Sequence, residues 1–126
     1  MNSRNFRHEA RDDYLEAILQ ITQARSFCRS IDIAEELNVS KPSVSVAVGK
    51  LMAGGLVEMD EDKLLHLTER GQDLAELTYA KHRYFRTALK KLGVDPETAE
   101  REACAVEHAI SAETFRKIRE KYPLEE

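Results

Sequence analysis

Four residues in the C-terminal part of the chain carry donor chemistry at helical spacing. Glu100, Cys104, Glu107 and His108 follow one another at intervals of four, three and one. On a helix these positions line one stripe. A thiol, two carboxylates and an imidazole on one face form a ligand set for a divalent cation. The same residues also fit a solvated face with a buried cysteine beside it. Elsewhere, Asp13 and Glu16 lie three apart and share a face of the first helix. His82 stands mid-way along a long helical stretch. A charge pair is usually surface and a single histidine usually structural, so neither signal is specific alone.

The elements that must position these donors are legible from periodicity and end signals. Tyr14, Leu15, Ile18, Leu19 and Ile21 give a helical apolar stripe within Phe6 to Gln23. Ile31, Ile33, Ala34 and Leu37 predict a short amphipathic helix that Ser30 could cap, with Asn38 at a left-handed end position. Ser40 then caps a second helix, with Pro42 in its first turn and Val44, Val48 and Leu51 facing inward. Gly54 and Gly55 end it. Two short helices joined by a tight turn make a helix-turn-helix pattern.

Leu56 to Met59 and Lys63 to Leu67 read as two strands around the polar turn Asp60-Glu61-Asp62, which together form a wing. Thr68 caps a long helix to about Leu92, with Gly93 as its stop. Asp95 and Pro96 open another through roughly Ala109, and Ser111 the last, ending before Pro123. The fold class is mainly α: an N-terminal winged helix-turn-helix with a small two-stranded wing, followed by a helical unit.

The bulk composition narrows the class. Apolar content of 42% and charged content of 33% are ordinary for a soluble globular chain. A net charge of −4 gives no whole-chain footprint for nucleic acid, so any such footprint has to be local. It is: between Leu37 and Val57 there is no acidic residue, while Lys41 and Lys50 are present. No signal-peptide pattern or membrane span is read, which places the chain in the cytoplasm with no membrane partner. There a disulfide between Cys28 and Cys104 is not expected.

The motifs resemble one family. Asp13-Tyr14-Leu15-Glu16-Ala17-Ile18 is similar to the opening helix of the iron- and manganese-dependent repressors, the family of the diphtheria toxin repressor and the manganese transport regulator. Asp32-Ile33-Ala34-Glu35-Glu36-Leu37-Asn38-Val39-Ser40, followed by Pro42-Ser43-Val44-Ser45, resembles its DNA-reading segment. Gly55-Leu56-Val57, Leu67-Thr68-Glu69-Arg70-Gly71, Lys81-His82-Arg83 and Glu102-Ala103-Cys104-Ala105-Val106-Glu107-His108 continue the likeness over nearly the whole chain.

The resemblance implies a winged-helix DNA-binding domain over 1–75 and a helical dimerisation and metal-binding domain over 76–126, the short form without a third, SH3-like domain. It implies a homodimeric repressor that binds a pseudo-palindromic DNA operator when loaded with Mn(II) or Fe(II). Its metal ligands would be Asp13, Glu16, His82, Cys104, Glu107 and His108, with Glu100 ranked last because it falls where the iron-type members carry an ancillary-site histidine. Asp13 and Glu16 match manganese-type members and Cys104 the iron type, so the chain is a hybrid. Arg86 falls where the ancillary site has a carboxylate, and a guanidinium cannot ligate a cation.

Base and phosphate contacts are expected from Ser40, Lys41, Pro42, Ser43, Ser45 and Lys50, at and along the helix that would enter the major groove. The wing turn is acidic, which is poor for touching phosphate. Tyr84, Phe85, Leu89 and Leu92, with Val106 and Ile110, are candidates for a dimer face or for ordinary core. Two other classes compete. One is a winged-helix regulator responding to a small molecule. The other is a small metalloenzyme, disfavoured because no nucleophile motif or phosphate-cradling loop is present.

Overall fold

The computed structural model describes residues 3–124, with side chains from Ala10 onward. The described elements are α1 (Ser3–Arg25), α2 (Ser30–Leu37), α3 (Lys41–Ala53), β1 (Val57–Met59), β2 (Leu65–Leu67), α4 (Glu69–Lys91), α5 (Pro96–Ala109) and α6 (Ala112–Lys121). The mainly helical, winged class expected from the sequence is what is seen. Leu15 and Ile18 of α1 are fully buried with Ile33 of α2, Val44 of α3 and Leu65 of β2, and these residues form the helix-turn-helix core. Cys28 belongs to it too, and burial pushes its thiol up to about 12, so it is an apolar filler rather than a reactive group.

End signals worked as local chemistry predicts, with one correction. Asn38 is left-handed at φ 54°. Ser40 caps α3, its Oγ accepting from the Ser43 N–H at 3.2 Å. Ser30, however, does not cap α2; it is the first helical residue. The chain enters through Arg29, whose N–H donates to the Asp32 carboxylate at 2.9 Å. A carboxylate at the third helical position reaches back to that amide.

The wing strands are antiparallel, with Glu58 opposite His66, and shorter than their sequence spans. Asp60 explains the shortening. Its Oδ1 accepts from the N–H groups of Asp62 and Leu64, and its Oδ2 pairs with His66 at 2.8 Å. One of the wing's acidic residues therefore builds the turn.

Helix α4 starts hard against this wing. The Thr68 hydroxyl donates to Gly55 O at 2.7 Å and accepts from the Gly71 N–H at 3.1 Å. A Cβ at Gly71 would lie 2.0 Å from Leu56 O, closer than any real contact. Gly71→Ala is therefore expected to destabilise the fold by about 1–3 kcal/mol through forced displacement of α4. Thermal melting would check this, and an unchanged midpoint would refute the close approach.

Helix α4 packs most extensively along α5, where Ala99 and Ala103 are fully buried and let the two backbones approach. Beyond them, Phe115 of α6 closes on Tyr84 and Phe85, with ring centroids 5.6 and 6.1 Å away. The Tyr84 hydroxyl donates to Tyr122 O at 2.6 Å. Of the residues weighed for a dimer face, Tyr84 is thus protomer core, whereas Leu92 is 80% exposed. Helix α4 is continuous through residue 75, so 1–75 and 76–126 share it. Among the described residues, no helix is long and apolar enough to cross a membrane.

Candidate metal centre

The donors converge where α1, α4 and α5 meet. Glu107 stands at the centre because of its place on α5. Ala99, Ala103 and Glu107 are four apart and all buried, so a carboxylate continues the inner stripe of small residues. Its two oxygens face different neighbours. Oε2 is 3.6 Å from His82 Nδ1, and Oε1 is 3.5 Å from His108 Nε2. Cys104 Sγ also lies 3.6 Å from His82 Nδ1. Asp13 Oδ1 lies 3.3 Å from His108 Nε2.

Two donor clusters result among the described residues, His82–Cys104–Glu107 and Asp13–Glu107–His108, with the donor atoms of each within 4.8 Å of one another. Cys104 is exposed, unlike Cys28.

Glu16 borders both clusters. Burial, then the charge of Glu107, push its carboxyl up to about 7, against the pull of His82 and His108. Its Oε1 accepts from Gln20 Nε2 at 3.2 Å. Burial likewise raises Glu107. The neighbouring Cys104 thiol and then the Glu107 carboxylate drive His82 up to about 11. For His108, burial works downward, but hydrogen bonds with Asp12 and Asp13 outweigh it and lift the ring to about 10.

Glu100 is not in either cluster. Its Oε1 accepts from His82 Nε2 at 2.8 Å, and its Oε2 is 3.4 Å from Arg86. Arg86 thus neutralises Glu100 rather than leaving an ancillary cation position.

Two nearby groups went unnoticed in the sequence. Asp12 Oδ2 lies 3.3 Å from His108 Nδ1. Burial opposes the Asp12 charge, but His108 and Arg11 prevail and hold its carboxyl below the usual range. Lys81, buried, donates from Nζ to Ile110 O at 2.6 Å, at the end of α5. The four-residue interval from Asp12 to Glu16 was an available signal for Asp12; Lys81 offered none.

The residues fit a divalent cation on two grounds. Glu107 Oε2 is buried without a hydrogen-bond partner, which a protein rarely leaves so. Carboxylate, imidazole and thiol donors from three helices also form a mixed O, N and S set suited to first-row metals.

A winged helix joined to such a donor set defines a metal-responsive DNA-binding regulator. Residues 8–65 match the N-terminal DNA-binding domain of the iron-dependent repressors, and residues 68–122 match their metal-binding and dimerisation domain. The chain belongs to the iron-dependent repressor family.

The transcriptional regulator MntR of Escherichia coli O157:H7 is 37% identical over 109 residues, covering 86% of this chain and 70% of the relative. The diphtheria toxin repressor of Corynebacterium diphtheriae is 33% identical over 106 residues, covering 83% of this chain and 47% of that one. The solved manganese regulator SloR superposes with a TM-score of 0.77 at 31% identity, covering 90% of this chain and 54% of that one. The chain thus spans about 70% of the first relative and about half of the other two. The comparisons favour metal response over the small-molecule alternative.

Proposed function

We propose that this chain is a cytoplasmic, metal-activated transcriptional repressor, not an enzyme, that binds a pseudo-palindromic operator as a homodimer when loaded with Mn(II) or Fe(II). The observation that carries the reading is the buried Glu107 oxygen that makes no hydrogen bond and stands among donors from separate helices. Its ligands are Asp13, Glu16, His82, Cys104, Glu107 and His108, in two adjacent positions that share Glu107. A bound divalent cation would take the place of the protons that His82 and His108 otherwise carry among these carboxylates. Oxygen and imidazole donors suit manganese and iron, and the Cys104 thiol favours iron. SloR is a manganese regulator by name, and the family is named for iron.

The coupling runs through α1. Its Leu15 and Ile18 are part of the reading-head core, while its Asp13 and Glu16 face α5. Holding those carboxylates against Glu107 and His108 fixes the angle between residues 1–75, the reading head, and residues 76–126, the dimerising unit.

Two reading heads must sit about one helical turn of DNA apart, roughly 34 Å, for both half-sites to be read. Exposed Ser40, Lys41, Pro42, Ser43, Ser45 and Lys50 of the α2–α3 turn and α3 supply the DNA contacts. Exposed Leu92 lies at the dimer face.

The test is fluorescence anisotropy on operator DNA, selected from a random duplex pool, with protein stripped by chelator or loaded with Mn(II), Fe(II), Co(II) or Zn(II). Loading should tighten binding by about 5- to 150-fold, the usual range of allosteric coupling. Affinity should fall steeply with added salt as phosphate contacts release counterions. Equal grip by stripped and loaded protein across all four ions would end this reading.

A further inference from the structure

The two imidazoles of the site face it through different nitrogens. His82 turns Nδ1 toward Cys104 and Glu107, and its Nε2 donates to Glu100. His108 is reversed: Nε2 faces Asp13 and Glu107, and Nδ1 meets Asp12. Behind each outer carboxylate stands a guanidinium. Arg86 lies 3.4 Å from Glu100, and Arg11 lies 3.1 Å from Asp12. The same three-part chain, arginine to carboxylate to imidazole, is built twice from different helices.

A neutral imidazole has one N–H, and the group that accepts it decides which nitrogen keeps a lone pair. A carboxylate already engaged by a guanidinium stays charged and is held away from the cluster. We propose that Asp12 and Glu100 are positioning residues rather than ligands. Each takes the outer N–H of its histidine, so that His108 presents Nε2 and His82 presents Nδ1 to the cation. The inference rests on the metal-sensing reading above and refines it, giving Asp12 and Glu100 a part beside the ligands.

The two arms differ in strength. The Asp12 side chain is 13% exposed and that of Glu100 is 51% exposed, so water competes far more at Glu100. Asp12→Ala should weaken metal affinity by about 10- to 100-fold, the range for groups that orient ligating histidines. Glu100→Ala should fall at or below the lower end of that range.

The decisive measurement is long-range 1H–15N correlation on histidine-labelled, Zn(II)-loaded protein, with zinc affinity from chelator competition. The wild type should show His108 bound through Nε2 with Nδ1 protonated, and His82 the opposite. Asp12→Asn, whose amide oxygen still accepts the N–H, should keep that assignment and recover part of the affinity lost in Asp12→Ala. Coordination of His108 through Nδ1, or unchanged affinity in a folded Asp12→Ala, would overturn the proposal. If zinc perturbs neither wild-type ring, the metal-sensing reading itself falls, which is distinct from tight zinc binding that ignores Asp12.

Discussion

Glu107→Gln is expected to lower divalent-metal affinity by about three orders of magnitude while leaving the metal-free protein more stable than before. The first effect is electrostatic. One unit charge acting on another at about 4 Å, in surroundings of effective dielectric near 20, contributes about 4 kcal/mol, or roughly a thousandfold. A divalent ion doubles the charge on one side, and Glu107 faces both clusters, so this figure is a floor.

The second effect has the opposite sign because the carboxylate is buried with one oxygen that makes no hydrogen bond. Its pKa is raised in the fold, chiefly by burial. A raised carboxyl contributes stability only below its unfolded pKa and loses it as pH climbs through the folded value. Burial works against its ionised form, a cost that the uncharged amide removes, so the metal-free variant should melt higher than the wild type. Melting curves in chelator and in excess Mn(II) would separate the two effects. A variant that melts lower without metal yet binds it as tightly as the wild type would make Glu107 a structural partner of His82 and no ligand.

Metal affinity is expected to climb by at least two decades per pH unit near pH 8 and at least three below pH 6.5, since a ligating thiol also gives up its proton. With His82 at about 11 and His108 at about 10, both rings are imidazolium in the metal-free protein at neutral pH. Each must release the proton that faces the cluster before its nitrogen can donate to a cation. Glu16, at about 7, adds a third proton on the acid side.

Stability of the metal-free protein should run the other way. The histidine contributions are complete below the unfolded value of 6.5 and are lost as pH rises through 10 to 11. That of Glu16 is complete below 4.5 and is lost through about 7. Metal-free protein should therefore weaken as pH rises from 5 to 9 while metal binding strengthens. Calorimetric titration in buffers of different ionisation enthalpy counts the released protons directly. A pH-independent affinity would mean that the rings are neutral before metal arrives.

Much of the reading head was legible because its signals are local. Ser40, Pro42 and Asn38 act within a turn of where they stand, and Val44, Val48 and Leu51 bury because helical periodicity puts them together. The donors of α5 were legible for the same reason. Questions stayed open where a partner came from far along the chain, and a misreading arose where two local chemistries competed. Tyr84 fitted a dimer face or the core on sequence alone, and Phe115 and Tyr122, more than thirty residues later, place it in the core. Ser30 is a good capping type, yet the Asp32 carboxylate reached the free amide first. The acidic wing turn stays a poor surface for phosphate, and the structure adds that Asp60 builds it, its oxygens engaged by the wing's own amides and His66.

By itself the sequence determined the helices, their ends and the chemical types of the donors, because these depend on residues a few positions apart. Which donors meet, and through which atoms, was decided only by the packing of α1 and α4 on α5. That packing set His108 between Asp13 and Asp12, across a separation of ninety-six residues from the latter. It also turned Glu100 to the outer nitrogen of His82. Spacing along one helix fixes which face a side chain is on, but the nitrogen an imidazole offers depends on what stands on either side of the ring, and those neighbours arrive from other helices.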